Sequence, residues 1–415
     1  MNKKRLEYIE GYKGFACLCV LLSHFISAFC NVLVTSLPER QLTGDWFETW
    51  IGTTPLNIFY NGNFGVRVFF ITSGFVLSYG FFRTKDENYL RKGAIKRYFR
   101  LVLPVVAVNV LTYLLMKLGL LYHQQAAMVC KSYDWLAAFN NFEPNFFGML
   151  KEAFFGNFFG NSAEYVGPLW TMTYEMMGSL LVFAFLALFG KEKVRFVLYV
   201  LFLVLFRESN YSHFVVGMAL CDLMQGEYDF IKKYQSKKWM IAFTVLVGLV
   251  FSTYPSGTDP SITIYRYFNL NPWIDTVTVY HFIGATLLFI AILNCEILQK
   301  FFEMGFFAFL GKYCFGLYLL HWPIMMSLSS YIMVCYQGTM PYYKLVLFNF
   351  LITMIFILLF AVFLSKTVEE WGMELSNLVV QKAFSIGQKP CEKKTVTETA
   401  ASRMRTEGAG EKKNE

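Results

Sequence analysis

Residues 13–24 read KGFACLCVLLSH: a lysine, ten mostly apolar residues and then a histidine. The apolar character continues to residue 36, and a helix needs about 20 such residues, each rising about 1.5 Å, to cross a bilayer. The sequence therefore predicts a membrane span over 14–36 with His24 about ten residues inside it, near its middle. Ionisable side chains at that depth are costly and are functional candidates by default.

The composition of the whole chain supports a membrane protein. Of its 415 residues 56% are hydrophobic and only 16% are charged, whereas soluble domains carry about a quarter charged residues. The net charge of +8 does not indicate nucleic-acid binding, because the basic residues fall in short clusters between apolar runs. The pattern instead predicts an all-α polytopic helical bundle in the lipid bilayer.

Ten apolar segments are candidate spans, and the fifth to seventh of them are short. The segments are 14–36, 64–82, 101–121, 168–190, 194–207, 210–225, 239–254, 279–295, 306–332 and 343–365.

The distribution of basic residues predicts the orientation of these spans. With the N-terminus inside, 28 of the 37 Lys and Arg residues would be cytoplasmic and six would be external. Without the nine basic residues of the C-terminal tail, 19 cytoplasmic residues still stand against six external ones, as the positive-inside rule requires. We therefore expect about ten spans, both termini in the cytoplasm and a multi-pass protein of the plasma membrane. Residues 1–370 would form the membrane domain and 371–415 a mostly disordered polar tail.

Four predicted spans carry polar side chains in unexpected places: His24, Ser73, Glu175 and His321. A carboxylate such as Glu175 needs a partner or a water-filled cavity within a membrane. Each residue also has a structural interpretation, such as a hydrogen bond between helices for His24, the outer aromatic belt for His321 and small-residue packing for Ser73. His123, His213 and His281 lie in a loop or near helix ends, which favours solvated surface positions.

A cationic cluster lies in the predicted cytoplasmic loop before the third span. Arg97 and Arg100 are three residues apart and share one helical face. They are either ordinary positive-inside anchors or a phosphate clamp, since guanidinium groups bind phosphate oxygens in a bidentate manner. Lys13, at the predicted inner mouth of the first span, would join such a clamp.

The nine cysteines are scattered singly, without a CxxC pair or a spaced Cys/His cluster. Neither a zinc site nor a disulfide framework is indicated. We expect reduced cysteines used as small hydrophobic residues, no metal and no bound cofactor.

Together the buried groups and the cations suit chemistry with a thioester. The anionic head of coenzyme A would bind at the inner face while its slender arm extends towards His24. Neutral imidazole has the basicity to activate a hydroxyl, and it could alternatively carry the acyl group itself. Glu175 would orient the ring or the acceptor, and Ser73, an amide near Gly74 or Trp170 would stabilise the oxyanion.

The chain resembles the acyltransferase-three family of integral membrane proteins over residues 5–365. Lys13 and His24 match the family's basic residue and histidine, which are eleven positions apart. The segment GVRVFFITSGF matches its Ser-Gly-Phe motif with Ser73, Gly74 and Phe75. Arg97 and Arg100 match its Arg-x-x-Arg motif. PLWTMTYE, with Trp170 and Glu175, and LGKYCFGLYLLHWP, with Tyr318 and His321, resemble two further motifs. Lysine replaces the commoner arginine at position 13, and we expect no fused SGNH hydrolase-like domain, because only a polar tail follows the membrane part.

The resemblance implies an O-acyltransferase with His24 as the essential residue and acyl-CoA bound by the arginines. His24, Glu175 and His321 would be catalytic, Lys13, Arg97 and Arg100 would bind acyl-CoA, and Ser73, Gly74, Phe75, Trp170 and Tyr318 would line the substrate pocket. The expected donor is acetyl-CoA or another acyl-CoA, and the acceptor is a cell-envelope glycan or lipid-linked saccharide. The alternative is a transporter or proton-coupled permease that uses the same buried groups.

Overall fold

The computed structural model describes residues 6–44, 46–226, 228–268 and 275–385. These residues form helices and connecting turns, and no strand occurs among them. The α-helices in chain order are α1 Glu7–Phe29, α2 Val32–Thr35, α3 Trp46–Gly52, α4 Gly62–Thr84, α5 Glu87–Lys117, α6 His123–Val129, α7 Phe146–Lys151, α8 Asn157–Phe159, α9 Trp170–Phe189, α10 Arg195–Leu205, α11 Tyr211–Gln225, α12 Asp229–Ser236, α13 Lys238–Ser252, α14 Thr276–Asn294, α15 Glu296–Phe302, α16 Gly305–Lys312, α17 Cys314–Ile324, α18 Ser330–Tyr336, α19 Tyr342–Lys366 and α20 Val368–Ser385.

The all-α polytopic architecture is confirmed. In the described part of the chain, seven helical segments are long and apolar enough to cross a membrane, and they are built on α1, α4, α5, α9, α14, α17–α18 and α19. The three short predicted spans correspond to α10, α11 and α13, which have 11, 15 and 15 residues. The predicted span 306–332 is interrupted at Tyr313, and a π-helical turn joins α17 to α18.

Helices α1 and α16–α17 run side by side in the same direction. Equivalent positions differ by 297 residues: Cys17 Sγ donates to the carbonyl of Cys314 at 3.5 Å, and a Cβ at Gly14 would lie 2.6 Å from the amide nitrogen of Gly311. Glycines at such a crossing let two backbones approach closely. Parallel packing means that both helices cross in the same direction, in agreement with the predicted first and ninth spans.

Helices α4 and α11 form another close contact through glycine. A Cβ at Gly74 would lie 2.3 Å from the carbonyl oxygen of Phe214, and one at Gly217 would lie 2.0 Å from that of Ile71. Any side chain at either position would therefore push the helices apart. This contact fixes the face of α4 that carries Ser73.

The first part of the predicted polar tail is helical. Helix α20 buries Gly372, Ser376 and Val380, which are spaced four residues apart and therefore share one face. It packs against α5, where Lys96 Nζ donates to Asn377 Oδ1 at 2.6 Å. The predicted boundary at residue 370 thus falls inside a packed helix, because its polar composition hid this four-residue spacing. Residues 386–415 lie outside the described part of the chain.

Candidate functional site

The in-register packing of α1 and α17 brings two predicted residues into contact. His24 Nδ1 and His321 Nε2 are 2.8 Å apart, and the two rings stack with centroids separated by 5.1 Å and an angle of 10°. The two positions again differ by 297 residues, so the helix register established ten residues earlier places them together. We call these two residues the histidine pair.

The histidine pair is enclosed by indole rings. The ring of His24 lies 5.7 Å from that of Trp135 and 5.7 Å from that of Trp322, and Phe139 packs edge-on against Trp322 at 4.6 Å. Trp135 and Phe139 belong to the segment that follows α6, which therefore covers the pair. His321 is only 2% exposed, whereas His24 remains half-buried and accessible.

A hydrogen bond between two neutral imidazoles requires one ring to donate and the other to accept. If His24 Nδ1 carries the proton, its Nε2 keeps a free lone pair and can act as a base. His321 would then carry its own proton on Nδ1, a buried atom that has no partner within the described part of the protein. The pair can therefore hold His24 in the tautomer that general-base catalysis needs.

His24 lies closer to one end of its helix than the sequence indicated. Helix α1 begins at Glu7, so that His24 is 17 residues from its start and only five residues before its end at Phe29. At about 1.5 Å per residue the ring lies about 8 Å from the C-terminal end of the helix. The helix begins seven residues before the predicted span 14–36, because the charged first turns belong to the same helix as the apolar run.

Tyr318 connects the histidine pair to the start of α9. Its hydroxyl is 2.6 Å from Thr171 Oγ1 and also contacts the carbonyl of Pro168, while its ring lies 5.8 Å from that of His321. Tyr318 is one turn before His321 on α17. Its contacts hold that turn against the PLW segment in which the sequence predicted a functional motif.

A second polar group joins α4, α5 and α9. Glu175 forms an ion pair with Arg97, and the hydroxyl of Ser73 donates to both carboxylate oxygens, at 2.9 and 3.2 Å. The side chains of Arg97 and Glu175 are 14% and 15% exposed. Glu175 was expected to orient His24 or the acceptor, but its hydrogen-bond partners in the structure are Ser73 and Arg97, and the partner of His24 is His321.

The remaining predicted cations lie next to this ion pair. Lys13 forms a salt bridge with Glu10 at 2.9 Å and also interacts electrostatically with Glu175. Arg100 interacts electrostatically with Arg97, Glu369 and Glu10 but makes no ion pair within 4 Å of its guanidinium among the described residues. We call Lys13, Ser73, Arg97, Arg100 and Glu175 the inner cluster.

Three predicted pocket residues have packing contacts. Gly74 lies against the backbone of α11, and the ring of the buried Phe75 contacts Phe289 at 5.4 Å. Trp170 is half-buried and packs edge-on against Tyr174 at 5.7 Å. None of these three contacts involves the histidine pair.

The prediction of surface positions for the other histidines was wrong. His123, His213 and His281 are 3%, 1% and 0% exposed. His123 Nε2 lies 2.9 Å from the carbonyl of Phe139, and burial lowers the pKa of this imidazole below its usual range. All three lie in helices, His123 in α6, His213 in α11 and His281 in α14, and their burial depends on tertiary contacts of those helices. Sequence reasoning also missed Trp135, whose position beside His24 depends on the fold of the segment that carries it.

These features define a polytopic helical membrane protein with a histidine pair, one ring buried and the other half-buried, about 16 Å along α1 from the inner cluster. Residues 6–369 match the acyltransferase-3 family, described as an acyltransferase domain, and the chain therefore belongs to that family. No curated protein and no solved structure matches the chain significantly. The family indicates membrane acyltransferase activity.

Proposed function

We propose that the protein is a membrane O-acyltransferase that moves an acetyl group from acetyl-CoA to a hydroxyl of a glycan or lipid-linked saccharide outside the plasma membrane. The observation that carries this proposal is the contact of His24 with His321, which leaves one imidazole half-buried and the other fully enclosed. An acyltransferase needs such a positioned base, because a hydroxyl does not attack a thioester efficiently at neutral pH unless its proton is removed.

The inner cluster supports the choice of donor. Lys13, Arg97 and Arg100 bring three cations to one end of the bundle; Lys13 and Arg97 are paired with Glu10 and Glu175, whereas Arg100 makes no ion pair within 4 Å among the described residues. Lys13 and His24 are eleven residues apart on α1, which is about 16 Å along the helix. A donor with a phosphate-rich head and a slender thioester-bearing arm suits this arrangement.

The proposed reaction is a direct transfer. His24 Nε2 removes the proton of the acceptor hydroxyl as its oxygen attacks the thioester carbonyl, and a tetrahedral intermediate forms. The carbon–sulfur bond then breaks, and the thiolate of coenzyme A takes the proton from the imidazolium. His321 positions His24 and stabilises its protonated form, while Tyr318 fixes the turn that carries His321.

Radiolabelled acetyl-CoA provides the test. The detergent-solubilised full chain should bind acetyl-CoA and transfer or slowly hydrolyse its acetyl group, and His24→Ala should lower this activity about 10²–10⁴-fold while retaining donor binding. His213→Ala is the control, since His213 is also a histidine inside the bundle, 1% exposed, but contacts the ring of Phe282 at 4.5 Å and not the histidine pair. A His24→Ala protein that is as active as its parent would refute the assigned base.

The same experiment separates the enzyme from a permease. Reconstituted vesicles that contain acetyl-CoA inside and a saccharide outside should produce acetylated saccharide outside. Net movement of the saccharide or of protons without acetylation would favour transport by the same buried residues.

A further inference from the structure

Helix α20 lies along α5 in an antiparallel register. Asn377 accepts a hydrogen bond from Lys96 Nζ at 2.6 Å, and a Cβ at Gly372 would lie 2.8 Å from the carbonyl oxygen of Arg100. Residue numbers that fall along α20 therefore rise along α5. This register brings the first turns of α20 to Arg100, at the edge of the inner cluster.

Glu369 is the acidic residue of α20 that this register places near Arg100. It lies in the first turn of the helix, three residues before Gly372 and therefore on the same face. Glu369 and Arg100 interact electrostatically. The Glu369 side chain is half-buried, and its Oε1 is buried without a hydrogen-bond partner in the described part of the chain. A buried carboxylate oxygen without a partner is costly, and a neighbouring cation reduces that cost.

Arg100 differs from the other two cations of the inner cluster. Lys13 and Arg97 contact their carboxylates, Glu10 and Glu175, directly. Arg100 is exposed, and its guanidinium makes neither a hydrogen bond nor an ion pair with the residues that the structure describes. A carboxylate more than 4 Å away lowers the positive potential at this guanidinium but leaves its N–H groups free to donate.

This arrangement opposes an incoming anion. A phosphate that binds the guanidinium of Arg100 is attracted by that group and repelled by the carboxylate of Glu369. Free coenzyme A carries the same phosphates as acetyl-CoA, so a phosphate clamp without a nearby negative charge would also retain the product, whose release limits many enzymes. The affinity for both nucleotides should therefore depend on the carboxylate as well as on the arginines.

We propose that Glu369 is a competing counter-ion at the donor site, which weakens the binding of acetyl-CoA and of free coenzyme A at Arg100 and so promotes release of the product. The inference rests on the proposed function, because it concerns the donor of that reaction. Removal of the Glu369 charge should strengthen donor binding, which is opposite to the effect of removing the Arg100 charge.

Equilibrium binding of acetyl-CoA and of free coenzyme A to the detergent-solubilised full chain tests this role. Glu369→Gln keeps the shape of the side chain and should strengthen the binding of both ligands about three- to fivefold, the range for a partly exposed charge interaction. Glu370→Gln is the matched control, because it removes the same charge from the next residue, which is exposed. In an Arg100→Gln background, Glu369→Gln should increase the affinity at most about twofold, because the phosphate is then no longer held beside position 369.

Three results would overturn the counter-ion. The first is an affinity of Glu369→Gln that equals or falls below that of the parent. The second is an equal gain in Glu370→Gln, which would show a general effect of net charge. The third is a lower Tm of Glu369→Gln with unchanged affinity, which would show that the carboxylate only stabilises the first turn of α20.

Binding of inorganic pyrophosphate separates this inference from the proposed function. If the parent does not bind acetyl-CoA but Glu369→Gln binds pyrophosphate more tightly than the parent does, the proposed function fails and the counter-ion at Arg100 stands. If neither acetyl-CoA nor pyrophosphate binds to the parent or to Glu369→Gln, both proposals fail.

Discussion

The inner cluster and the histidine pair both place polar side chains among apolar helices, but the polar groups in the two regions find their partners in different ways. In the inner cluster Glu175 accepts hydrogen bonds from Arg97 and Ser73, so opposite charges are matched. In the histidine pair two rings of the same kind share one contact, and His321 Nδ1 has no partner in the described part of the chain. Matched charges suit positioning, whereas the lone pair that remains on His24 Nε2 when His24 Nδ1 donates to His321 suits chemistry.

The largest effect that separates these regions should come from His24. We expect His24→Ala to lower the rate of transfer by about 10²–10⁴-fold, the range that a general base contributes. His321→Gln should cost less, on the order of tenfold to a hundredfold in kcat, because it removes only the group that positions the base. Steady-state kinetics of both variants provide the measurement. An equal loss in both, including in KM for acetyl-CoA, would show that the pair is structural.

Removing one charge of the inner cluster should mainly affect stability. Glu175→Gln leaves the guanidinium of Arg97 without its carboxylate, and breaking a buried ion pair costs about 3–5 kcal/mol. We expect a clear fall in Tm, measured by thermal unfolding in detergent. The double variant Arg97→Gln with Glu175→Gln should be more stable than Glu175→Gln alone. A Glu175→Gln protein with the parent Tm would contradict the role of this pair.

Arg100 offers a sharper test of donor binding than Arg97, because its loss breaks no ion pair. Arg100→Gln should weaken the binding of acetyl-CoA about 10- to 150-fold, since a hydrogen bond to a charged group contributes about 1.5–3 kcal/mol. Arg91→Gln is the matched control on the same helix, because Arg91 is exposed and lies 3.9 Å from Glu87. Equal affinities of the two variants for acetyl-CoA would argue against a phosphate clamp at Arg100.

The smallest expected effect concerns His123, which contacts the carbonyl of Phe139 in the segment that covers the histidine pair. Burial lowers the pKa of His123, so the folded protein favours the neutral ring. Below about pH 6.5 the unfolded chain binds this proton and the folded chain resists it, and stability falls as the pH decreases towards the folded pKa. His123→Gln should reduce the loss of Tm between pH 7.5 and 5. An unchanged pH dependence would show that other groups control it.

Much of the architecture was predictable because a membrane crossing imposes a length and a composition. All ten apolar segments contain helices, and α10, α11 and α13 are the ones that fall short of a full crossing. The identity of His24, Glu175 and His321 as buried polar residues also followed from their apolar surroundings. These expectations depend on local sequence alone.

The partners of these residues were not predictable. His24 and His321 are 297 residues apart, and only the register of α1 with α17 makes them neighbours. The pairing of Arg97 with Glu175 similarly depends on how α5 packs against α9, which brings a residue of the basic segment to a carboxylate expected beside His24. Helix α20 was hidden by its polar composition, although its small buried residues recur every four positions.

The glycine crossing of α1 and α16 has a mechanical consequence for the histidines. Gly311 lies ten residues before His321, on the far side of the interruption at Tyr313, and a Cβ added there would lie 2.0 Å from the carbonyl oxygen of Glu10. A slide of one helix by a single residue is about 1.5 Å, which is enough to separate two imidazoles now 2.8 Å apart. The close contact at Gly311 therefore fixes the register of the two helices. A methyl group added at Gly311 would shift that register and change the distance between His24 and His321.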